Sequence, residues 1–380
     1  MMLNWRRGWD MISLADWKVT RKQKKLINKV LKSGRLTYGP MTRELEEQFA
    51  EIHAAKYAIF TSSGTAALKI SLHALKDKHG WKDGSEVIIP ATTFVATMNA
   101  VLMNNLKPVL VDVRPDTANI DPSLIEGAIT KKTVAILPVH LLGQPAQMDQ
   151  IMKIAKKHKL EVVEDSCETM FVNKLEGTTA CFSTYIAHLM VTGVGGFILT
   201  NDKELATTMR SMLFHGRDSS YLNIDDKPKE IWRRFHFPRH GYSDRLTELE
   251  AALGLGELDD FDYMIAKRQD NAQYLIDKLI FMNGVTIVNF PVTEVRDHSF
   301  MFFPLLIDRR DELMVYLEKC GIQTRTMMPL INQPITKPYL KKKYPVAQYI
   351  VDYGMLLPVH QFLKKKDLDY MINCIRGFYS

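Results

Sequence analysis

Four short stretches of the chain carry side chains able to do chemistry, and each begins where an apolar run ends. The first is Thr61-Ser62-Ser63-Gly64-Thr65-Ala66-Ala67, directly after YAIF. Small hydroxyl residues and a glycine opening a helix offer N–H groups to a phosphate, where the helix dipole favours negative charge. The same residues equally make a plain helix cap, so Gly64 and Thr65 alone leave both readings open. The second is Ala91-Thr92-Thr93-Phe94 after EVIIP, where Phe94 offers a face for a flat ring or a core contact. In the third, Asp165 ends LEVVED and leads into Ser166-Cys167-Glu168-Thr169-Met170. An acid there serves a metal, a cap or a heteroaromatic nitrogen, and the residue alone does not choose. The fourth is CFSTYIAHLMVTGVGG at 181–196, with Ser183 and His188 ahead of Gly195-Gly196. With an unperturbed pKa of roughly 6.5, a histidine can act as base and then acid near neutral pH.

These stretches need a scaffold that brings them together. Short β-type runs, YAIF, EVIIP, PVLVDV, VAILPV and LEVVED, alternate with helical stretches up to residue 165. The runs are continuously apolar and mostly β-branched, as strands covered on both faces are. Such alternation predicts an α/β fold with a mostly parallel sheet and helices on both faces. Ligands of such sheets collect beyond the carboxyl ends of the strands, which is where the four stretches begin. After residue 245 a helical region of mixed charge, a strand-like FMFFPLLI and the helix-like DELMVYLEKC and DLDYMINCIRGF predict a smaller α+β domain joined through a long helix. The expected division is 1–255, a large domain, and 256–380, a small one.

With 46% hydrophobic and 24% charged residues the 380-residue chain reads as a globular protein with a sizeable core. The absence of an apolar run of roughly 18 residues and of a signal-like start argues against a membrane span and makes the cytoplasm the expected location. Cys167, Cys181, Cys320 and Cys374 are dispersed without a C-x-x-C pair, so no disulfide framework, zinc site or iron–sulfur cluster is expected. The net charge of +7 comes partly from separate lysine runs at 22–25, 341–343 and 364–366. Without clustering or interleaved aromatics these predict solvated faces rather than a nucleic-acid surface; steering of a phosphorylated small molecule is the next reading.

The run GRLTYGPMTRELEEQFAEIHAAKYAIFTSSGTAALKISLHAL, then PATTFVATMNAV, VHLLGQP, VVEDSCETM and CFSTYIAHLMVTGVGG, resembles the vitamin-B6-dependent sugar aminotransferase and dehydratase family of fold-type I. The resemblance spans nearly the whole chain and implies pyridoxal or pyridoxamine 5'-phosphate as cofactor. It implies that Gly64, Thr65 and Ser183 hold the cofactor phosphate, that Phe94 stacks on the ring, and that Asp165 pairs with the ring nitrogen. Glu168 stands where the family usually has glutamine and would approach the ring hydroxyl. His188 stands where the family's lysine tethers the cofactor. An imidazole cannot form that bond, so ordinary transamination loses the group that releases each product.

One branch of the family carries this replacement, the pyridoxamine-phosphate-dependent 3-dehydratases of nucleotide-linked 4-keto-6-deoxyhexoses. The stretch from Glu164 to Met170 is also similar to that branch, whose substrate is GDP-4-keto-6-deoxymannose. The implied reaction removes the C3 hydroxyl and releases ammonia, with His188 as acid and base and glutamate as amino donor. Alternatives are a sugar aminotransferase variant or inactivated aminotransferase lacking its lysine, and a non-catalytic sugar-nucleotide-binding protein. Two positions depart from the family pattern: Val194 replaces a glutamate, and Ser243 replaces an asparagine that reaches the phosphate of a neighbouring subunit. By resemblance the expected assembly is a homodimer. His215, Arg217 and Arg325 are possible substrate contacts that surface or packing roles would explain equally well.

Overall fold

The apolar runs become strands buried on both faces, and alternate residues of each strand feed opposite cores. The computed structural model describes residues 11–217, 235–280 and 295–380. Its main sheet is built from β1 (Tyr57–Thr61), β2 (Glu86–Pro90), β3 (Lys107–Val111), β4 (Thr133–Ile136), β5 (Glu161–Asp165), β6 (Thr179–Ser183) and β7 (Gly196–Thr200), in the order β1-β7-β6-β5-β4-β2-β3. The neighbours from β6 to β3 run parallel, and β7 runs antiparallel to both β1 and β6. Ile59, Ile89, Leu110, Ala135, Val163 and Ile198 face one core, which includes the Gly64–His79 helix; Ile88, Val111, Ile136 and Val162 face the other side. A third cluster gathers Phe49, Phe60, Phe182 and Phe197, with the Phe49 and Phe197 rings stacked 3.9 Å apart. Each such ring, fully buried, contributes about 1.5–3 kcal/mol relative to exposure.

The strands β6 and β7 are absent from the alternating pattern read in the sequence. The residues of β6, TACFS, are small and mixed in polarity, and β7 returns through a loop without a crossover helix. Their pairing places Ser183 opposite Gly196. The connecting segment 184–195, with His188, therefore emerges at the carboxyl end of β6, beside the end of β5 where Asp165 sits.

The second sheet, β8 (Phe303–Leu306), β9 (Arg325–Thr326) and β10 (Gly354–Leu357), is antiparallel with β10 in the middle. The Arg310–Lys319 and Lys365–Tyr379 helices pack Leu313, Leu317, Leu368, Met371 and Ile375 into a core with Leu305 and Leu357. The helical region expected after residue 245 comprises two helices, Glu248–Glu257 and the long Phe261–Leu279, separated by a 3-10 turn at Leu258–Asp260. Two backbone bonds stitch the sheets' surroundings together: Ser299 N–H donates to the Gly143 carbonyl at 2.8 Å and Met301 N–H to that of Leu142 at 2.9 Å. Gly143 has φ +108°, and an added Cβ would lie 2.5 Å from the Phe300 nitrogen, so a side chain would break this stitch. Among the described residues no helix is long and apolar enough to cross a membrane.

Candidate active site

At the carboxyl ends of the parallel strands a cavity encloses about 960 Å³ with its open mouth counted, lined by residues of all four stretches. Its floor begins where β1 turns into the Gly64–His79 helix. Ser63 caps that helix, its hydroxyl accepting the Ala66 N–H at 3.0 Å. The N–H groups of Gly64 and Thr65 have no intrahelical carbonyl to meet and could serve an anion in the cavity. A Cβ on Gly64 would lie 2.6 Å from the Cys167 Sγ and 2.9 Å from the Ser183 Cβ. Glycine is thus what lets helix, Cys167 and Ser183 converge. Thr65 and Ser183 line the same end. Ser63 makes the cap, and it lines the cavity together with Gly64 and Thr65.

Asp165 is 5% exposed at the end of β5. The Thr97 hydroxyl donates to its Oδ2 at 2.7 Å, the Cys167 N–H to its Oδ1 at 3.2 Å, and Thr93 lies 2.7 Å from Thr97, oxygen to oxygen. Burial pushes the carboxyl above its usual range, and the bonds from Thr97 and Cys167 pull the other way. A cation placed against such a carboxylate removes much of that penalty. Among the described residues no three His, Cys, Asp or Glu side chains converge as a metal site. Behind Asp165, His140 Nε2 lies 3.0 Å from the buried Glu164 carboxylate, which also accepts the N–H groups of Glu176 and Gly177. His140 Nδ1 accepts the Ala146 N–H at 2.9 Å, so Nε2 carries the proton given to Glu164.

Glu168, buried, accepts the Leu142 N–H at 2.9 Å. Burial raises its pKa to about 7, with the Asp165 charge adding to the rise and the Leu142 bond and Arg325 opposing it. In its protonated form this side chain can donate a hydrogen bond, as a glutamine donates through its amide.

His188 is half-buried, and its backbone N–H donates to the Tyr185 carbonyl at 2.8 Å. Its Nδ1 finds no hydrogen-bond partner among the described residues. Burial lowers its pKa to about 4, the Arg325 charge adding to the fall and a backbone bond at Cys167 opposing it. The ring is thus neutral at physiological pH, with a nitrogen free to meet a ligand. Phe94, 58% exposed, lines the cavity too and presents a ring face with no aromatic partner among the described residues.

The cavity gathers Gly64, Thr65, Phe94, Asp165, Glu168, Ser183 and His188. It also takes in Tyr185, Cys167, Met301, Met328 and Arg325; of these only Arg325 was a candidate contact by sequence, and nothing local distinguished it. Val194 lines the mouth, half exposed. Ser243 lies outside the cavity, exposed, on a segment that bridges Phe214 and whose neighbour Asp244 accepts the Ser62 N–H at 2.7 Å. No lysine lines the cavity among the described residues; the nearby Lys69 is held by Asp244 at 2.6 Å. An anion cradle at one end, a ring face, a buried carboxylate awaiting a cation and a neutral imidazole together suit a flat, phosphate-bearing heteroaromatic ligand.

The model of the DegT/DnrJ/EryC1/StrS aminotransferase family matches residues 18–376. The UDP-2-acetamido-2-deoxy-3-oxo-D-glucuronate aminotransferase of Pseudomonas aeruginosa is 36% identical, with 89% of this chain and 90% of that protein covered. The GDP-perosamine synthase of Caulobacter vibrioides is 33% identical over 87% of each. Among solved structures, the Escherichia coli GDP-4-keto-6-deoxy-D-mannose-3-dehydratase with bound hydrated pyridoxal phosphate superposes with TM-score 0.86 at 29% identity, covering 96% of this chain and 99% of that one.

Proposed function

Within the DegT/DnrJ/EryC1/StrS aminotransferase family, to which this chain belongs, we propose that it removes the C3 hydroxyl of a nucleotide-linked 4-keto-6-deoxyhexose, GDP-4-keto-6-deoxymannose in the first instance. The observation that carries the reading is the imidazole of His188, whose Nδ1 has no hydrogen-bond partner among the described residues, in a cavity that no lysine among them lines. The likeness to the E. coli 3-dehydratase, with its bound pyridoxal phosphate, supports both reaction and cofactor.

Pyridoxamine phosphate, when bound, supplies an amine that condenses with the C4 ketone and a ring that takes up electron density. Gly64 and Thr65 through their N–H groups, with the Ser183 hydroxyl, hold the phosphate. Phe94 stacks on the ring, Asp165 keeps its nitrogen protonated, and Glu168 faces its hydroxyl. Ser243 reaches across to the phosphate of a second copy in a homodimer. His188 takes a proton at the carbon bearing the amine and hands it to the departing hydroxyl. The burial that keeps the imidazole neutral serves both halves. A neutral ring can accept the proton, and the imidazolium so formed is acidic enough to release it to a poor leaving group. Replacing C–OH by C–H is a two-electron reduction of the sugar. An amino donor such as glutamate must supply those electrons, and its nitrogen leaves as ammonia.

The second reading is transamination, favoured by the name of the Pseudomonas aeruginosa relative, an aminotransferase, and by that of the matching family. Products separate the two. Incubation with GDP-4-keto-6-deoxymannose, glutamate and cofactor gives a 4-keto-3,6-dideoxy sugar and ammonia in the first case, and a 4-amino sugar without ammonia in the second.

A further inference from the structure

Segment 242–244 lies outside the cavity, yet it grips the helix that opens the phosphate cradle. Thr65, Lys69 and His73 stand on successive turns of one face of the Gly64–His79 helix, at the four-residue spacing that makes helical neighbours. Thr65 lines the cavity, and the two residues behind it meet the segment. The Lys69 ammonium donates to Asp244 Oδ2 at 2.6 Å and lies 3.7 Å from the centre of the Tyr242 ring. The Tyr242 hydroxyl lies 2.8 Å from His73 Nδ1. Asp244 also reaches in front of the helix, where its carbonyl accepts the Ser62 N–H at 2.7 Å. One residue thus holds the chain on both sides of Ser63, Gly64 and Thr65, by its carbonyl before them and its carboxylate after them.

The segment is itself anchored. Tyr242 N–H donates to the Met212 carbonyl at 2.6 Å, and His215 N–H to that of Tyr242 at 2.7 Å, which ties the segment to the end of the Lys203–Leu213 helix. On the sheet side β7 starts at Gly196, where an added Cβ would lie 2.6 Å from the Ser63 carbonyl carbon. The Lys69 and Asp244 side chains are 17% and 21% exposed, so their pair is sheltered from the solvent that weakens surface pairs. The bond between them is charge-assisted and directional, and a site built from backbone N–H groups depends on position to within about 0.5 Å. We propose that Lys69 is a positioning residue for the cofactor phosphate, acting through Asp244 to hold the turn at Ser63, Gly64 and Thr65 in its anion-binding form. This rests on the phosphate cradle of the reading above.

The test compares pyridoxamine phosphate with pyridoxamine, two ligands that differ only in the phosphate, by fluorescence titration of the cofactor-free protein. Wild type, Lys69→Met, Lys69→Arg and Asp244→Asn are titrated with each. In Lys69→Met and Asp244→Asn the Kd for pyridoxamine phosphate is expected to rise about tenfold, equivalent to about 1.4 kcal/mol, while that for pyridoxamine changes less than about twofold. Lys69→Arg, which keeps the charge and its donors, restores most of the affinity. Asp244→Asn separates position from charge. It keeps the carbonyl that holds Ser62 but leaves the Lys69 cation unpaired on the phosphate-binding helix, so a purely electrostatic role would tighten pyridoxamine phosphate binding, and that result overturns the proposal. An equal loss for both ligands overturns it as well, being the mark of general damage to the fold. A wild-type preference for the phosphate that no variant disturbs overturns the proposal and leaves the cradle standing. Equal affinity of the wild type for the two ligands removes the cradle itself, and the proposal with it.

Discussion

Replacing Glu168 by glutamine in the cofactor-free chain tests whether the carboxyl beside Asp165 is as strained as its surroundings imply. Burial and the Asp165 charge raise its pKa from 4.5 to about 7. Below about pH 4.5 the side chain is protonated whether the chain is folded or not, and ionisation costs nothing. Between about 4.5 and 7 the unfolded chain ionises while the folded one holds its proton, so stability falls as pH rises. Above about 7 the full penalty applies. A rise of about 2.5 pH units, at about 1.36 kcal/mol each, amounts to about 3 kcal/mol. Glutamine keeps the oxygen that accepts the Leu142 N–H and cannot ionise. Glu168→Gln should therefore match wild type in urea unfolding at pH 4.5 and exceed it by up to about 3 kcal/mol at pH 8. Equal offsets at every pH would refute the reasoning, because they would show that the carboxyl ionises in the folded chain as easily as in water.

Two further substitutions probe the cavity. Gly64→Ala puts a methyl 2.6 Å from the Cys167 Sγ and 2.9 Å from the Ser183 Cβ, at the proposed phosphate cradle. It should weaken pyridoxal phosphate binding at least tenfold in a fluorescence titration and lower the melting temperature; unchanged affinity would remove Gly64 from the cradle. Thr97→Val keeps the shape but deletes the donor to Asp165 Oδ2. It should cost about 1–3 kcal/mol of stability, the range for a buried acceptor left unpaired, and weaken cofactor binding, whereas Thr97→Ser should restore both.

What the sequence made legible follows from which signals are local. Runs such as EVIIP and LEVVED announce strands buried on both faces because β-branched continuity is local, and the residues after them therefore converge. TACFS and GFILT escaped because an antiparallel return through a loop breaks the strand–helix alternation. The break within the helical region after residue 245 has no proline to announce it, and Gly254 and Gly256 pack so close to Met190, Leu45 and Gln23 that an added Cβ would crowd them. The chain there turns at Leu258–Asp260 before the second helix starts. Arg325 had no local signal, because its meaning lies in a cavity whose other walls come from residues 63–195 and 301. The same holds for Glu168: the letter replaces a familiar glutamine, but only burial and the Leu142 bond show that it can behave as one.

The central claim is that His188 carries the proton in a deoxygenation, and one measurement meets it directly. Wild type and His188→Asn, each loaded with pyridoxamine phosphate, are given GDP-4-keto-6-deoxymannose and glutamate, with ammonia and sugar products quantified together. The account predicts one ammonia per 4-keto-3,6-dideoxy sugar from wild type. It predicts a loss of about 10²–10⁴-fold in the variant, the usual contribution of a positioned acid–base group, with cofactor binding retained. A 4-amino sugar formed without ammonia, or undiminished ammonia from His188→Asn, would contradict it.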